Sequence, residues 1–206
     1  MALLKANENE KIDVFIGTWN EIRWAGHGVL DMGCWIIFLH GSESHHEFGT
    51  EFTVRQKFKL LTQFSNYSLI DVHAPTEVLD DQYKDNFFEN LERTYDRYPV
   101  YNTKNAQIGK EDDYLPTIGK HSLLEYQNDN GHRVIQFALS RNMAVGSTTF
   151  PHKKIHKATW WRPDQLTFNQ IDHVIIDGRH CSNVVNVHTY RGVNVDSDHY
   201  LVIAKL

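Results

Sequence analysis

From Leu79 to Tyr98, apolar residues recur at Leu79, Tyr83, Phe87, Leu91 and Tyr95. Spacings of four place them on one face, so the segment is an amphipathic helix with a single stripe to bury. Such a helix needs a layer to pack against, and the segments around it supply one. Ile12 to Trp19 (IDVFIGTW), Trp35 to Leu39, Thr50 to Val54 and Tyr67 to His73 are β-branched, apolar runs and read as buried strands. Pro75 ends the last of these, and Thr76 can cap the helix after it. Beyond that helix, Asn128 to Asn130 can cap a shorter one over Arg133 to Arg141. Strands return at Ile171 to Ile176, Val184 to Tyr190 and Leu201 to Lys205, whereas Tyr98 to Gln127 has no clean period and reads as loop. Strands, helix, strands predict one layered α/β domain over residues 12–206, behind an N-terminal extension of residues 1–11.

Composition excludes several alternatives. With 41% hydrophobic and 23% charged residues, the 206-residue chain is neither a disordered tail, a fibrous repeat nor a coiled coil. No apolar run approaches the roughly 20 residues that span a bilayer, and the start, MALLKANENEKID, lacks a signal peptide's apolar core. No membrane partner is expected. Cys34 and Cys181 match no disulfide or zinc framework, so the expected compartment is reducing: intracellular, nuclear or cytoplasmic, with no disulfide partner. The net charge of −5 means that any grip on nucleic acid must rest on a local patch.

Polar residues gather at the strand ends. Asn20 closes the first strand and Glu21 follows it; His73 closes the YSLIDVH strand. Asp172 opens Ile171 to Ile176, and Ser197-Asp198-His199 leads into the last strand. Singly, each is most simply a solvated or structural group. Together, Glu21 and Asp198 offer hard oxygen ligands for Mg²⁺, and Asp172 can orient His199. That is equipment for phosphodiester hydrolysis, where charge builds on phosphorus and must be neutralised.

Seven blocks then occur in a telling order: GTWN (17–20), EIRW (21–24), VHAPTE (72–77), NAQIGKE (105–111), HKATWWRPD (156–164), NQIDHVIID (169–177) and SDHYLV (197–202). In this order they resemble the endonuclease/exonuclease/phosphatase superfamily, and within it the endonuclease domains of RTE-type non-LTR retrotransposons. The resemblance runs from about Ile12 to the C-terminus. It implies a four-layer α/β sandwich, two mixed sheets flanked by helices, with the site at one end. It further implies an endonuclease that hydrolyses DNA with Mg²⁺ (or Mn²⁺). Glu21 would be the metal ligand, with Asn20 supporting metal and phosphate and Asp198 in the metal shell. Asp172 would orient His199, which contacts the scissile phosphate. His73 stands where many members have tyrosine, and Asn105 matches the asparagine of the family's GDFN motif.

Three departures mark the chain as an internally deleted copy. Asn20 runs directly into Glu21, where the family has a helix and a second strand. A parallel crossover needs a dozen or more residues, so that βαβ unit is lost and the sheet is incomplete. Neighbours in an extended chain also face opposite ways, so Asn20 and Glu21 reach one metal only if the chain turns sharply between them. Arg55 to Ser65 is too short for a further family strand. Finally, the GDFN motif reads Asn102-Thr103-Lys104-Asn105, placing Thr103 where the family has its water-activating aspartate, after a strand reduced to Tyr98-Pro99-Val100-Tyr101. The chain is thus expected to be an impaired endonuclease or, alternatively, an inactive copy serving as a nucleic-acid-binding or interaction module.

Phe150 to Arg162 interleaves Lys153, Lys154, Lys157 and Arg162 with Trp160 and Trp161. That composition suits phosphate contact and base stacking, and equally a solvated basic loop with one tryptophan packed inward. His45 and His46 fit a solvated loop better than a metal site, and Cys34 fits the core. Asp80, Asp81, Asp85, Glu89 and Glu92 read as the wet face of the first helix.

Overall fold

The computed structural model describes residues 15–20, 27–31, 35–40, 50–55, 70–72, 74–95, 100–103, 105–162, 166–191 and 197–206. Strands β1 (Phe15–Asn20), β2 (His27–Asp31), β3 (Trp35–His40), β4 (Thr50–Arg55) and β5 (Ile70–Val72) precede helix α1 (Asp81–Tyr95). Strand β6 (Val100–Thr103), helix α2 (Asp129–Ser140) and β7 (Met143–Val145) come next. The chain ends with β8 (Trp160–Trp161), β9 (Phe168–Asn169), β10 (His173–Asp177), β11 (Asn186–Tyr190) and β12 (Leu201–Lys205).

Two main sheets result. One is six-stranded in the order β11-β12-β1-β4-β3-β2, and the other four-stranded in the order β5-β6-β10-β7. The fold is mixed α/β. Burial along β10 shows how the layers stack. Ile175 packs into a core with Val134, Ile135 and Phe137 of α2 and Phe88 and Leu91 of α1. Its neighbours Val174 and Ile176 join Val187 of β11 and Val202 and Ala204 of β12 in a second core. Side chains alternate along a strand, so the helices cover one face of the four-stranded sheet and the six-stranded sheet covers the other. Every residue of β10 is buried, which explains the near-continuous apolar run HVIID. Leu201 and Ile203, on the opposite side of β12 from Val202 and Ala204, are buried as well.

Several elements differ from the sequence reading for identifiable reasons. Helix α1 starts at Asp81, and its cap is Asp80, whose carboxylate accepts the Tyr83 N–H at 2.8 Å; Thr76 instead closes the preceding turn through its carbonyl. Helix α2 starts four residues earlier than expected because Asn128 is the cap, its Oδ1 accepting from Gly131 N at 2.8 Å. The acidic face of α1 is more than a wet surface: Arg133 of α2 reaches Asp81 and Asp85, and Lys84, only 4% exposed, reaches Asp129. The stretch expected to be loop contains β6, polar at Asn102 and Thr103 yet paired parallel with β5 and antiparallel with β10. Pairing on both sides overrides weak local propensity. Strand β1, expected to border a lost crossover, does not lie at an edge, since β12 and β4 flank it antiparallel. No helix among the described residues is long and apolar enough to cross a membrane.

The loop before α2 docks on its first turn. Asn128 Oδ1 also accepts from Gln107 N at 2.9 Å, and a Cβ on Gly131 would stand 1.8 Å from the Gln107 carbonyl oxygen. Asn128→Ala therefore removes a cap and leaves a second N–H unpaired, and should cost about 2 kcal/mol in urea unfolding. A loss near zero would show that neither bond holds the loop to the helix.

Candidate active site

Beyond their shared apolar core, the two sheets are joined by a polar pair of side chains. Asp172, with no exposed surface, precedes β10 of the four-stranded sheet, and His199 precedes β12 of the six-stranded sheet. His199 Nδ1 lies 2.9 Å from Asp172 Oδ2. A buried carboxylate persists only when partnered, and here the imidazole N–H partners it. The contact also selects the tautomer that carries hydrogen on Nδ1. Thr159 fixes the approach from behind: its Oγ1 accepts both the Ile171 and Asp172 backbone N–H groups, at 3.0 and 3.1 Å.

Asp198 stands beside this pair and is held by the hairpin of β8 and β9. The indole Nε1–H of Trp160 donates to Asp198 Oδ2 at 2.7 Å, and Trp161 N donates to the Asp198 carbonyl at 3.1 Å. Trp160 also bridges the backbone of His199. Its polar edge is therefore committed to the carboxylate. The remaining basic residues of that stretch spread out: Lys153, Lys154 and Arg162 are exposed and Lys157 is half-buried. Burial, with Lys110 nearby, holds the Lys157 ammonium below its usual pKa.

Asn105 closes the site from the other side. It adopts φ 59°, a left-handed conformation that asparagine tolerates, just after β6. Its Nδ2 donates to the Ala74 carbonyl at 2.9 Å, while Ala106 N donates to Ile171 O at 3.2 Å. The GDFN-like turn thus joins the Ala74–Pro75 segment to the strand that carries Asp172. Asn130 completes the clamp, its Nδ2 donating to Pro75 O and Asn105 O at 2.8 and 3.2 Å.

Beneath lies a buried polar layer that sequence reading missed. His173 Nδ1 sits 2.8 Å from Ser147 Oγ, and its Nε2 lies 2.8 Å from Ala106 O. Gln170 accepts Leu123 N and donates to Ser147 O. The signal was present in NQIDHVIID: a glutamine and a histidine inside an otherwise apolar run have to be hydrogen-bonded once buried. Burial pushes the His173 pKa down to about 4, so the ring is neutral at neutral pH.

Other expected residues are only partly placed. Asn20 ends β1 opposite Thr50, and Thr103 ends β6 opposite His173 and Val72. Glu21, His73, Cys34, His45 and His46 lie outside the described residues. Among the described residues, no group of three or more histidine, cysteine, aspartate or glutamate side chains could hold a metal ion. Asp198 and Asp172 each have one oxygen already bonded, to Trp160 and His199. The described donors therefore do not by themselves build a divalent-cation site.

No protein-family model matches the chain. Craniofacial development protein 2 of Bos taurus is 27% identical over 221 residues, covering 96% of this chain and 37% of that protein. The Tragulus javanicus protein of the same name is 26% identical, again over 96% of this chain and 38% of its own length. The chain thus spans a little over a third of these curated relatives. The aligned span exceeds the chain's own 206 residues, so the relatives carry positions that this chain lacks. Among solved structures, the endonuclease domain of TRAS1, a telomere-specific non-LTR retrotransposon, superposes with a TM-score of 0.55 at 8% identity, covering 84% of this chain and 80% of that one. The chain is thus similar in sequence to craniofacial development protein 2 and shares the fold of the TRAS1 endonuclease domain.

Two outcomes test this geometry. The His173 ring signals should stay fixed between pH 7.5 and 5 in NMR titration. The unfolded chain takes up this proton near pH 6.5 and the folded chain only near 4, so stability falls as pH drops through that window. The His173 share of the loss should reach about 3 kcal/mol in urea unfolding. Trp160→Phe should keep the ring but remove the donor to half-buried Asp198, costing about 1 kcal/mol. Asp198→Asn should likewise move the Trp160 indole N–H resonance, since it changes the acceptor that this N–H meets.

Proposed function

We propose that the chain is a retrotransposon-derived, nuclease-like domain directed at DNA phosphodiester bonds, with Mg²⁺ or Mn²⁺ as cofactor and with weakened catalysis. The buried Asp172–His199 pair, with Asp198 beside it, carries this reading. In it, the helices and two sheets form three layers of a four-layer sandwich. The buried Leu201 and Ile203 side of β12 faces the fourth, and the family's βαβ unit is missing after Asn20.

The chemistry rests on the residues themselves. Asp172 commits Nδ1 of His199, so contact with a scissile phosphate falls to Nε2, where an imidazolium would neutralise developing charge. Asp172 holds the ring in place, and Asn105, fixed by Ala74, would bind a phosphate oxygen. A divalent cation would add Lewis-acid neutralisation, held by Glu21 and Asp198 with Asn20 in support. Thr103 weakens the reaction, because a threonine hydroxyl at neutral pH does not accept a proton as a carboxylate does. A lost general base costs roughly 10²–10⁴-fold in rate. The same Thr103, with no three-ligand cluster among the described residues, favours the second reading of an inactive copy that only binds.

Nicking of supercoiled plasmid with Mg²⁺ separates the readings. The parent should nick slowly, and Asp198→Ala and His199→Ala should abolish the activity. Thr103→Asp should raise it about tenfold or more, since it restores a carboxylate of similar size, whereas Thr103→Asn should not. Equal nicking by the parent and His199→Ala would end the enzymatic reading.

A further inference from the structure

Arginines in this protein mostly find carboxylates. Arg93 pairs with Glu89, Arg133 with Asp85 and Asp129, Arg141 with Glu92, and Arg179 with Asp177. Arg191 differs. Exposed at the end of β11, it has no carboxylate in ion-pair range among the described residues, and its guanidinium lies over two aromatic rings. Its central carbon is 4.5 Å from the centroid of Tyr200 and 5.2 Å from that of Phe168. Tyr200 in turn stacks on Trp161 at 6.3 Å and 29°.

Position and chemistry then combine. Tyr190 pairs with Leu201 across the β11–β12 ladder, so the antiparallel register carries Arg191 to Tyr200, the residue directly after His199. Trp161 and Phe168 belong to the hairpin whose Trp160 holds Asp198. A guanidinium held on ring faces keeps its full charge and presents its N–H edge outward. A carboxylate partner would use up both. Ring stacking also removes much of the freedom of a long side chain, so little is left to lose when an anion binds. In a chain with net charge −5, such a preset cation beside the site is a local exception to the overall field.

We propose that Arg191, stacked on Tyr200 and Phe168, grips a backbone phosphate of a nucleic-acid strand lying across the His199 site, next to the bond that is attacked. The proposal rests on the nuclease-like reading for its choice of ligand, but its test needs only binding. The contact carries no sequence information; it sets where the strand lies.

The experiment is fluorescence anisotropy of a labelled DNA duplex, titrated with the full chain from low salt to 200 mM. Arg191→Ala should weaken binding about tenfold on every sequence and lower the salt slope by about one, the signature of one lost phosphate contact. Tyr200→Leu keeps the charge but removes its support, and should weaken binding with the slope unchanged. Arg191→Lys should recover the slope and only part of the affinity, because lysine is a point charge without the planar fork. Circular dichroism and thermal unfolding of each variant should match the parent. Parental affinity and slope in Arg191→Ala would overturn the proposal, as would a parent that does not bind DNA at low salt. The parent's own nicking of plasmid, measured beside its binding, separates the two readings. An Arg191 effect on binding without nicking in the parent would retain this contact and remove the nuclease reading.

Discussion

A carboxylate with no exposed surface has to be partnered, and the partner of Asp172 sits on the other sheet. Breaking such a pair by removing one member leaves an uncompensated buried group at a cost of roughly 3–5 kcal/mol, which exceeds most single contacts in a domain. The His199 bond therefore does two jobs. It locks the end of β10 to the end of β12, and it orients the imidazole where side chains from both sheets meet. Thr159, Ala106 and Ile171 hold the Asp172 segment, while Trp160 and Ser197 hold the other. The site is the seam of the fold.

Much of that seam could be read from residue order alone. The four-residue spacing from Leu79 to Tyr95 locates α1 but not its buried face, which runs through Lys84, Phe88 and Leu91 while Leu79 and Tyr83 stay exposed. The β-branched runs locate β1, β3, β4, β10, β11 and β12, and the IDHV and SDH blocks point to Asp172, Asp198 and His199. What remained hidden depends on pairing across long separations. β6 looks polar and forms because β5 and β10 grip it from both sides. The short β8 and β9 exist through two residue pairs. Trp160 reads in the sequence as a ring for base stacking, whereas its indole bonds Asp198, 38 positions away.

Strand β1 sits within a sheet that short connections can build. An antiparallel connection needs only a short turn, while a parallel crossover needs a dozen residues or more. The six-stranded sheet is antiparallel at every step among the described residues, and β1 sits inside it between β12 and β4. In the proposed reading, loss of a βαβ unit after Asn20 would leave this ladder paired.

The double duty of Asp172 and His199 also bears on how copies of such a domain age. Residues that brace the sheets are retained for as long as a copy is required to fold, whether or not it cuts anything. Their presence in a lineage therefore says little about surviving activity. In the proposed reading Thr103 is the opposite kind of position, one that serves chemistry, so mutational decay would register there first and at the seam last.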